Sequence, residues 1–310
     1  MLQYQMARLE IRHLAVLHEV ARWGTASAAA EHLGLTASAA SHRIREAERR
    51  LGVQLTTRSG SSLKLTEAGH RLVRTAEKVF DEMQRAEIDA RRLALNAGPV
   101  VRFCVGTYIH YDWLPEFLRD LANSDANIKF EVMGEATPHP IDYILDERID
   151  IALVPGPIAT LGLKMLPAFT DELVCVTNPS HRLAKCDFVD AVDLADDTQF
   201  TYSSEISLGF EYDRFFRPAG HFPSKLLNIA LPEAAIEMAS AGSGLAILSR
   251  WALQKRLQRN ELSAARLTSS GLDLQWQIVL SASQPANSHI PMVAQELSKW
   301  LQAKFSATES

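Results

Sequence analysis

Residues 25–51 read TASAAAEHLGLTASAASHRIREAERRL, and this stretch decides the first domain. It predicts two short helices joined by a tight turn. Ala28, Ala29 and Ala30 let the first helix approach a neighbour closely. Leu33-Gly34-Leu35 breaks the period, and Gly34 suits the left-handed conformation that closes a helix. Thr36 then offers an N-cap oxygen to the second helix. On that helix Ala40, Ile44, Ala47 and Leu51 recur at steps of four, three and four, which is one buried face. Ser38, Ser41, His42, Arg45 and Arg49 fall on the other side. Small hydroxyls permit close approach, and His and Arg supply long donors, as a helix entering the major groove of DNA requires. The plainer alternative is an alanine-rich hairpin with a solvated face, since Glu46 and Glu48 interrupt the basic run 43–50.

The flanks favour the first reading. Upstream, Leu9, His13, Val16, Leu17 and Val20 space as the apolar face of a helix that would complete a three-helix core. Downstream, 52–58 and 63–65 are extended pieces around a Ser/Gly turn. They suit a wing that would place Arg58 and Lys64 for phosphates or the minor groove, with a plain surface hairpin as the alternative. Thr66-Glu67-Ala68-Gly69 opens a long helix, with Thr66 as its cap and Glu67 at its positive end. Along it Leu72, Ala76, Val79, Met83, Ala86, Ala90 and Leu93 keep a heptad seam. The simplest partner for such a seam is the same helix of a second subunit; packing on the chain's own body is the alternative. The domains are therefore set at 8–65 (reading head), 66–95 (linker and dimerisation helix) and 99–310, after the linker Asn96-Ala97-Gly98-Pro99.

The 310-residue chain is 47% hydrophobic and 22% charged, the composition of a soluble globular protein with room for more than one core. No apolar run suits a membrane span and no signal-peptide core opens the chain, so a cytoplasmic location is expected. Cys104, Cys175 and Cys186 are scattered, as in a reducing compartment, and no role is assigned to them. The net charge of −5 divides into +4 over residues 1–98 and −9 over the remainder, a basic head on an acidic body.

Beyond residue 99, strand-like runs at 100–105, 128–132, 149–154, 173–177, 199–202, 226–229, 245–248 and 274–280 alternate with helical ones. The helices fall near 114–123, 210–217, 232–241 and 291–304. This is an α/β body with largely parallel sheets. An enzyme carrying a DNA-binding head is the rival function. Gly242-Ser243-Gly244 lacks the G-x-S-x-G spacing of a nucleophile elbow, and the ten histidines show no H-E-x-x-H or Cys/His ligand spacing. No catalytic residue, metal or cofactor is assigned.

At these residues the chain resembles the LysR-type transcriptional regulators over essentially its whole length. The resemblance is carried by A-S-A-A-A-E-H-L, T-A-S-A-A-S-H-R-I, E-R-R-L-G-V-Q-L, Arg58 and L-T-E-A-G in the head. In the body it is carried by I-D-I-A-L (149–153), N-P-S-H-R-L-A (178–184) and G-S-G-L-A-I-L-S (242–249). It implies an all-α-type winged helix-turn-helix N-terminal domain and a periplasmic-binding-protein-like α/β effector domain of two lobes. It also implies a homodimer or homotetramer on double-stranded promoter DNA, a small-molecule effector between the lobes, and RNA polymerase as a further candidate partner. Thr36, Ser38, Ser41, His42, Arg45 and Arg58 match positions that meet DNA, with Arg43, Arg58 and Lys64 assigned to phosphates. Ala37 stands where the family often has Gln, Ala47 where Leu is usual and Thr56 where Phe is usual. S-A-A-S-H, D-W-L-P-E-F and R-P-A-G-H-F-P-S further resemble the methionine-biosynthesis regulators, which respond to homocysteine.

On that fold a ligand sits at the carboxyl ends of the strands, beside helix N-termini. Thr107, Tyr108 and His110 follow the first strand, Thr137 the second and Pro155 the third. Tyr202 and Ser203 follow a strand of the other lobe, and Leu231 opens a helix there. Hydroxyls and helix-start N–H groups at such places favour a carboxylate-bearing metabolite.

Overall fold

The computed structural model describes residues 7–59, 62–94, 98–123, 128–202, 209–284 and 288–305. It divides into two compact units, Met1–Ala97 and Gly98–Ser310.

In the first unit, helices α1 (Ile11–Trp23), α2 (Ala26–His32) and α3 (Ala37–Leu51) precede a hairpin of β1 (Thr56–Ser59) and β2 (Ser62–Leu65). The long helix α4 (Glu67–Ala94) follows. The local signals explain these boundaries. The hydroxyls of Thr25 and Thr36 accept the Ala28 and Ala39 N–H groups at 3.1 and 3.2 Å, capping α2 and α3. Gly24 and Gly52 close α1 and α3 in the left-handed region. Val16, Val20, Ala29, Ala30, Ala40 and Ile44 form one small core, and Leu17, Ala47, Leu55 and Val73 a second beneath the wing. Gly69 is required where α4 meets the wing, because a Cβ there would lie 2.2 Å from the Leu55 carbonyl oxygen.

The seam along α4 is not one continuous free face. Ala76 is fully buried and Leu72 packs against the Leu17–Leu55 core of its own unit. Only further along does the seam reach solvent, at Met83 (38% exposed); Ile88, off the seam, is exposed as well. A heptad repeat specifies an apolar stripe without saying which chain covers it. The Leu93 side chain and residues 96 and 97 of the linker lie outside the described residues.

The second unit contains two sheets that share one strand. Its elements are β3 (Val100–Val105), α5 (Leu114–Ala122), β4 (Lys129–Val132), α6 (Pro140–Leu145), β5 (Ile151–Pro155), β6 (Leu163–Thr177), β7 (Phe188–Val189) and β8 (Thr198–Thr201). There follow α7 (Arg217–Ala219), β9 (Lys225–Asn228), α8 (Pro232–Ser240), β10 (Leu245–Ser249), α9 (Gln254–Gln258), β11 (Ser263–Leu267), β12 (Asp273–Ser281) and α10 (Ile290–Phe305). The first lobe has the strand order β4-β3-β5-β12-β6, and β6 continues into the second lobe between β11 and β10, with β8 and β9 beyond. Thus β6 carries the chain across and β12 brings it back.

The sheets are mixed rather than largely parallel. β3, β4 and β5 run parallel, as do β8, β9 and β10, but β12 and β6 pair antiparallel through the middle. Alternating strands and helices report that strands exist, and a returning crossover strand reverses direction without altering that pattern. Cys104 and Cys175 are buried in β3 and β6, where burial pushes both thiols up to about 12, and Cys186 is exposed. Among the described residues no helix is long and apolar enough to cross a membrane.

Candidate DNA-binding face and interlobe site

The outward side of α3 divides into two hollows. One is lined by Ser41, Arg45, Gln54, Thr56, Thr57 and Arg58, so the wing faces one flank of the helix. The other is lined by Arg12, Thr36, Ser38, His42 and Arg43, against the start of α1. Ser38, His42, Arg45, Arg58 and Lys64 are exposed, and Ser41 and Arg43 are half-buried. Arg12, Gln54 and Thr57 were not singled out from sequence, and each joins the face through tertiary packing alone.

The two acids that interrupt the basic run also line these hollows, Glu48 the first and Glu46 the second, but each is engaged by neighbours within its own unit. Glu46 lies 2.5 Å from Arg50 and 3.2 Å from the buried His13 ring. The His13 ring first and the Arg50 guanidinium second hold its carboxyl down at about 2. Arg50 also meets Glu10 at 2.8 Å, so it closes a network binding α3 to the N-terminus of α1. Glu10, His13 and Glu46 could be read as a metal-ligand cluster. Arg50 already supplies the positive charge there, and the Glu10 N–H donates to His13 Nδ1 at 2.9 Å. Glu48 Oε1 accepts the Leu55 and Thr56 N–H groups at 2.9 and 3.0 Å and the Thr56 hydroxyl at 3.2 Å. With both acids engaged in this way, the face keeps Arg43, Arg45, Arg58 and Lys64 without carboxylate partners among the described residues. That is the charge arrangement a phosphate backbone attracts.

In the second unit, strand ends from both lobes meet. Thr107 takes φ +73°, a strained conformation for a β-branched residue, and aims the chain so that Tyr108 is buried. The Tyr108 hydroxyl accepts the Ser249 N–H of the other lobe at 3.0 Å. Ser249 in turn donates its hydroxyl to Asp171 on β6, whose carboxyl burial pushes up. Tyr202 comes up beside Tyr108, with ring centroids 6.1 Å apart, and burial raises both phenols. His110 packs its ring against Trp251 at 4.4 Å, and burial lowers its basicity. Thr137 is buried, and its carbonyl accepts the Thr107 N–H at 3.1 Å. Pro155 ends β5 opposite Trp276, Leu231 is exposed at the start of α8, and Ser203 lies outside the described residues.

The amides expected to face a ligand are engaged. Gly106, Thr107 and Tyr108 donate to Leu153, Thr137 and Gly106 carbonyls. Ile109 donates to Glu233 Oε1 of the other lobe at 2.8 Å, and Asp112 pairs with Lys255 at 2.7 Å. The loop after β3 therefore bridges the lobes. Phe210 and Glu211 join the same place from the second lobe, and no sequence signal marked them.

Known proteins share both parts. The family described as bacterial regulatory helix-turn-helix protein, lysR family, matches residues 11–70, and the LysR substrate binding domain matches residues 96–306. The chain is 28% identical over 264 residues to the HTH-type transcriptional regulator MetR of Haemophilus influenzae, covering 85% of each protein. It is 26% identical to MetR of Escherichia coli, covering 92% of this chain and 87% of that one. Full-length CbnR, solved in complex with its target DNA, superposes with a TM-score of 0.72 at 19% identity, over 94% of this chain and all of that one. The regulatory domain of NMB2055 (MetR) from N. meningitidis gives a TM-score of 0.53 at 19% identity over 66% of this chain and 94% of that domain. Joined to the reading face on α3 and the two-lobed body, the family match over residues 96–306 places the chain in the LysR family of DNA-binding transcriptional regulators.

Proposed function

We propose that this regulator acts in the cytoplasm as a homodimer or homotetramer on promoter DNA, with RNA polymerase as a further partner. Residues 8–65 serve as the reading head, 66–95 as the dimerisation helix and 99–310 as the sensor. Thr36, Ser38, Ser41, His42 and Arg45 meet the major groove, and Arg43, Arg58 and Lys64 hold phosphates. The observation that carries this reading is the pairing of Glu46 and Glu48 within their own unit, which leaves Arg43, Arg45, Arg58 and Lys64 without carboxylate partners among the described residues. Selection of duplexes from a random pool by the full-length protein tests it. Enriched paired half-sites about one duplex turn apart are expected; a pool with no sequence preference would remove the reading role.

The sensor reading places a small effector between the lobes, bounded by Thr107, Tyr108, His110, Thr137 and Pro155 on one side and Tyr202, Ser203 and Leu231 on the other. Relatives named MetR support a methionine-related effector, and the resemblance to the methionine-biosynthesis regulators makes homocysteine the first candidate. A ligand shifts the regulator only if it prefers one arrangement of the protein over another. Thermal shift of the full-length protein with homocysteine and with simple carboxylates tests this. At 100 times its dissociation constant a ligand adds about 2.7 kcal/mol, a visible shift.

A further inference from the structure

The loop between β3 and α5 is anchored to the first lobe at both ends and to the second lobe in its middle. At its root the Gly106 and Thr107 N–H groups donate to the carbonyls of Leu153 and Thr137 at 2.8 and 3.1 Å. At its far end the Tyr111 hydroxyl accepts the Val105 N–H at 3.0 Å, and the Trp113 indole donates to the His110 carbonyl at 3.1 Å. Between these anchors, three bonds reach three different elements of the second lobe. The Ser249 N–H, at the end of β10, donates to the Tyr108 hydroxyl at 3.0 Å. The Ile109 N–H donates to Glu233, in the first turn of α8, at 2.8 Å. Asp112 pairs with Lys255 of α9 at 2.7 Å.

The three bonds are unequal. Tyr108 and Ser249 are both buried, and the Ser249 hydroxyl continues to Asp171 on β6. Parting them would leave a buried N–H without an acceptor, which is costly. The other two bonds lie at the surface. The side chains of Lys255 and Asp112 are 62% and 48% exposed, and an ion pair so exposed contributes little. The backbone on either side of the Ile109–Glu233 bond is also strained. Thr107 stands at φ +73° shortly before Ile109, and Ala230 at φ +61° shortly before Glu233. Neither is glycine, and such strain persists only where the surroundings over-determine it, as at switch regions.

We propose that residues 107–112 form a strap that sets the angle between the two lobes. The Tyr108–Ser249 bond is its fixed end, and the contacts with Glu233 and Lys255 are its releasable end. Loss of the releasable end frees the lobes to turn about their crossover strands, β6 and β12, while each lobe keeps its own sheet. The strap belongs to the body alone and is independent of which effector the sensor takes.

The test measures the distance between the lobes in the full-length protein, by pulsed dipolar spectroscopy of two spin labels. Of the three cysteines only Cys186, on the second lobe, is exposed, and Glu135→Cys supplies an exposed attachment point on the first. Dilution with unlabelled chains keeps each measured distance within one chain. Glu233→Ala combined with Lys255→Ala is expected to shift the mean distance by more than about 2 Å, the scale of a domain rearrangement. Amide exchange over 106–113 is expected to quicken about tenfold, while β3 and β10 exchange as before. Glu233→Gln, whose carbonyl still accepts the Ile109 N–H, is expected to keep the wild-type distance. An unchanged distance in the double variant overturns the proposal. So does faster exchange spread evenly over the body, which would make the two side chains general stabilisers. Should the double variant fail to fold, Glu233→Ala and Lys255→Ala taken singly decide by the same two readings.

Discussion

Glu48, on the recognition helix, accepts the Leu55 N–H at 2.9 Å and so fixes the angle at which the wing leaves that helix. The same oxygen takes the Thr56 N–H and hydroxyl. Glu48→Ala leaves these donors without their acceptor beneath the wing. A loss of about 1–3 kcal/mol is expected in denaturant unfolding of the head, the usual cost of a broken charged hydrogen bond. DNA affinity should fall as well, because Arg58 is carried on the strand that Glu48 positions. Unchanged stability in Glu48→Ala would show that the wing is held by its apolar contacts alone.

Arg45 and Arg58 flank one hollow, and the reading gives them different tasks. Arg45→Ala should weaken specific sites by about 1–3 kcal/mol and relax preference at one base pair. Arg58→Ala should weaken all duplexes alike and reduce the slope of log affinity against log salt by about 0.9, one phosphate contact. Competition binding at several salt concentrations separates the two. A salt slope lowered by Arg45→Ala with base preference intact would reverse the assignment.

Acid should loosen the head through Glu46. Its folded pKa of about 2 lies below the ordinary 4.5, because His13 and Arg50 lie against the carboxylate. A depressed pKa contributes stability that is complete above the unfolded value and fades as pH falls from 4.5 towards about 2. Melting temperature should therefore drop across that window in the wild type, and drop less steeply in Glu46→Gln. Parallel curves for the two proteins would mean that the network contributes no linked protonation.

What could be read from sequence was whatever is written locally. The cap at Thr36, the left-handed Gly34 and the Ala40–Ile44–Ala47 face lie within one helix of their partners, so α2 and α3 were legible. The first ten residues of β6 were not. Pro167 and the acidic Asp171 and Glu172 disguise them, and Pro167 is tolerated because it sits at a bulge opposite Gln277. Glu46 and Glu48 looked like interruptions of a basic run because their partners, His13, Leu55 and Thr56, are supplied by tertiary structure. Ser203, predicted beside Tyr202, falls outside the described residues.

Gly69 offers a test of the joint between head and long helix. Its ideal Cβ would stand 2.2 Å from the Leu55 carbonyl oxygen and 3.2 Å from the Leu65 Cβ, and backbone cannot step aside as a flexible side chain can. Gly69→Ala should destabilise the head by about 1–3 kcal/mol, the usual penalty of overpacking, despite alanine's better helix propensity. Denaturant titration of wild type and variant reads it. A stabilised variant would mean that α4 can move off the wing.

The exposed part of α4 separates the two uses of its seam. Leu72 packs within its own unit, so Leu72→Asp should unfold the head and says little about assembly. Met83 is 38% exposed beyond that core, and Ile88 is exposed further along the same helix. A charge at Met83 would face whatever covers the stripe. Met83→Asp should therefore keep a folded head, with wild-type helical content and thermal stability of that unit, while sedimentation velocity moves the protein to monomer mass. Affinity for a paired half-site should fall by about 10²-fold or more as the second head is lost, and affinity for a single half-site should hold. Wild-type sedimentation by Met83→Asp would assign subunit pairing to another surface.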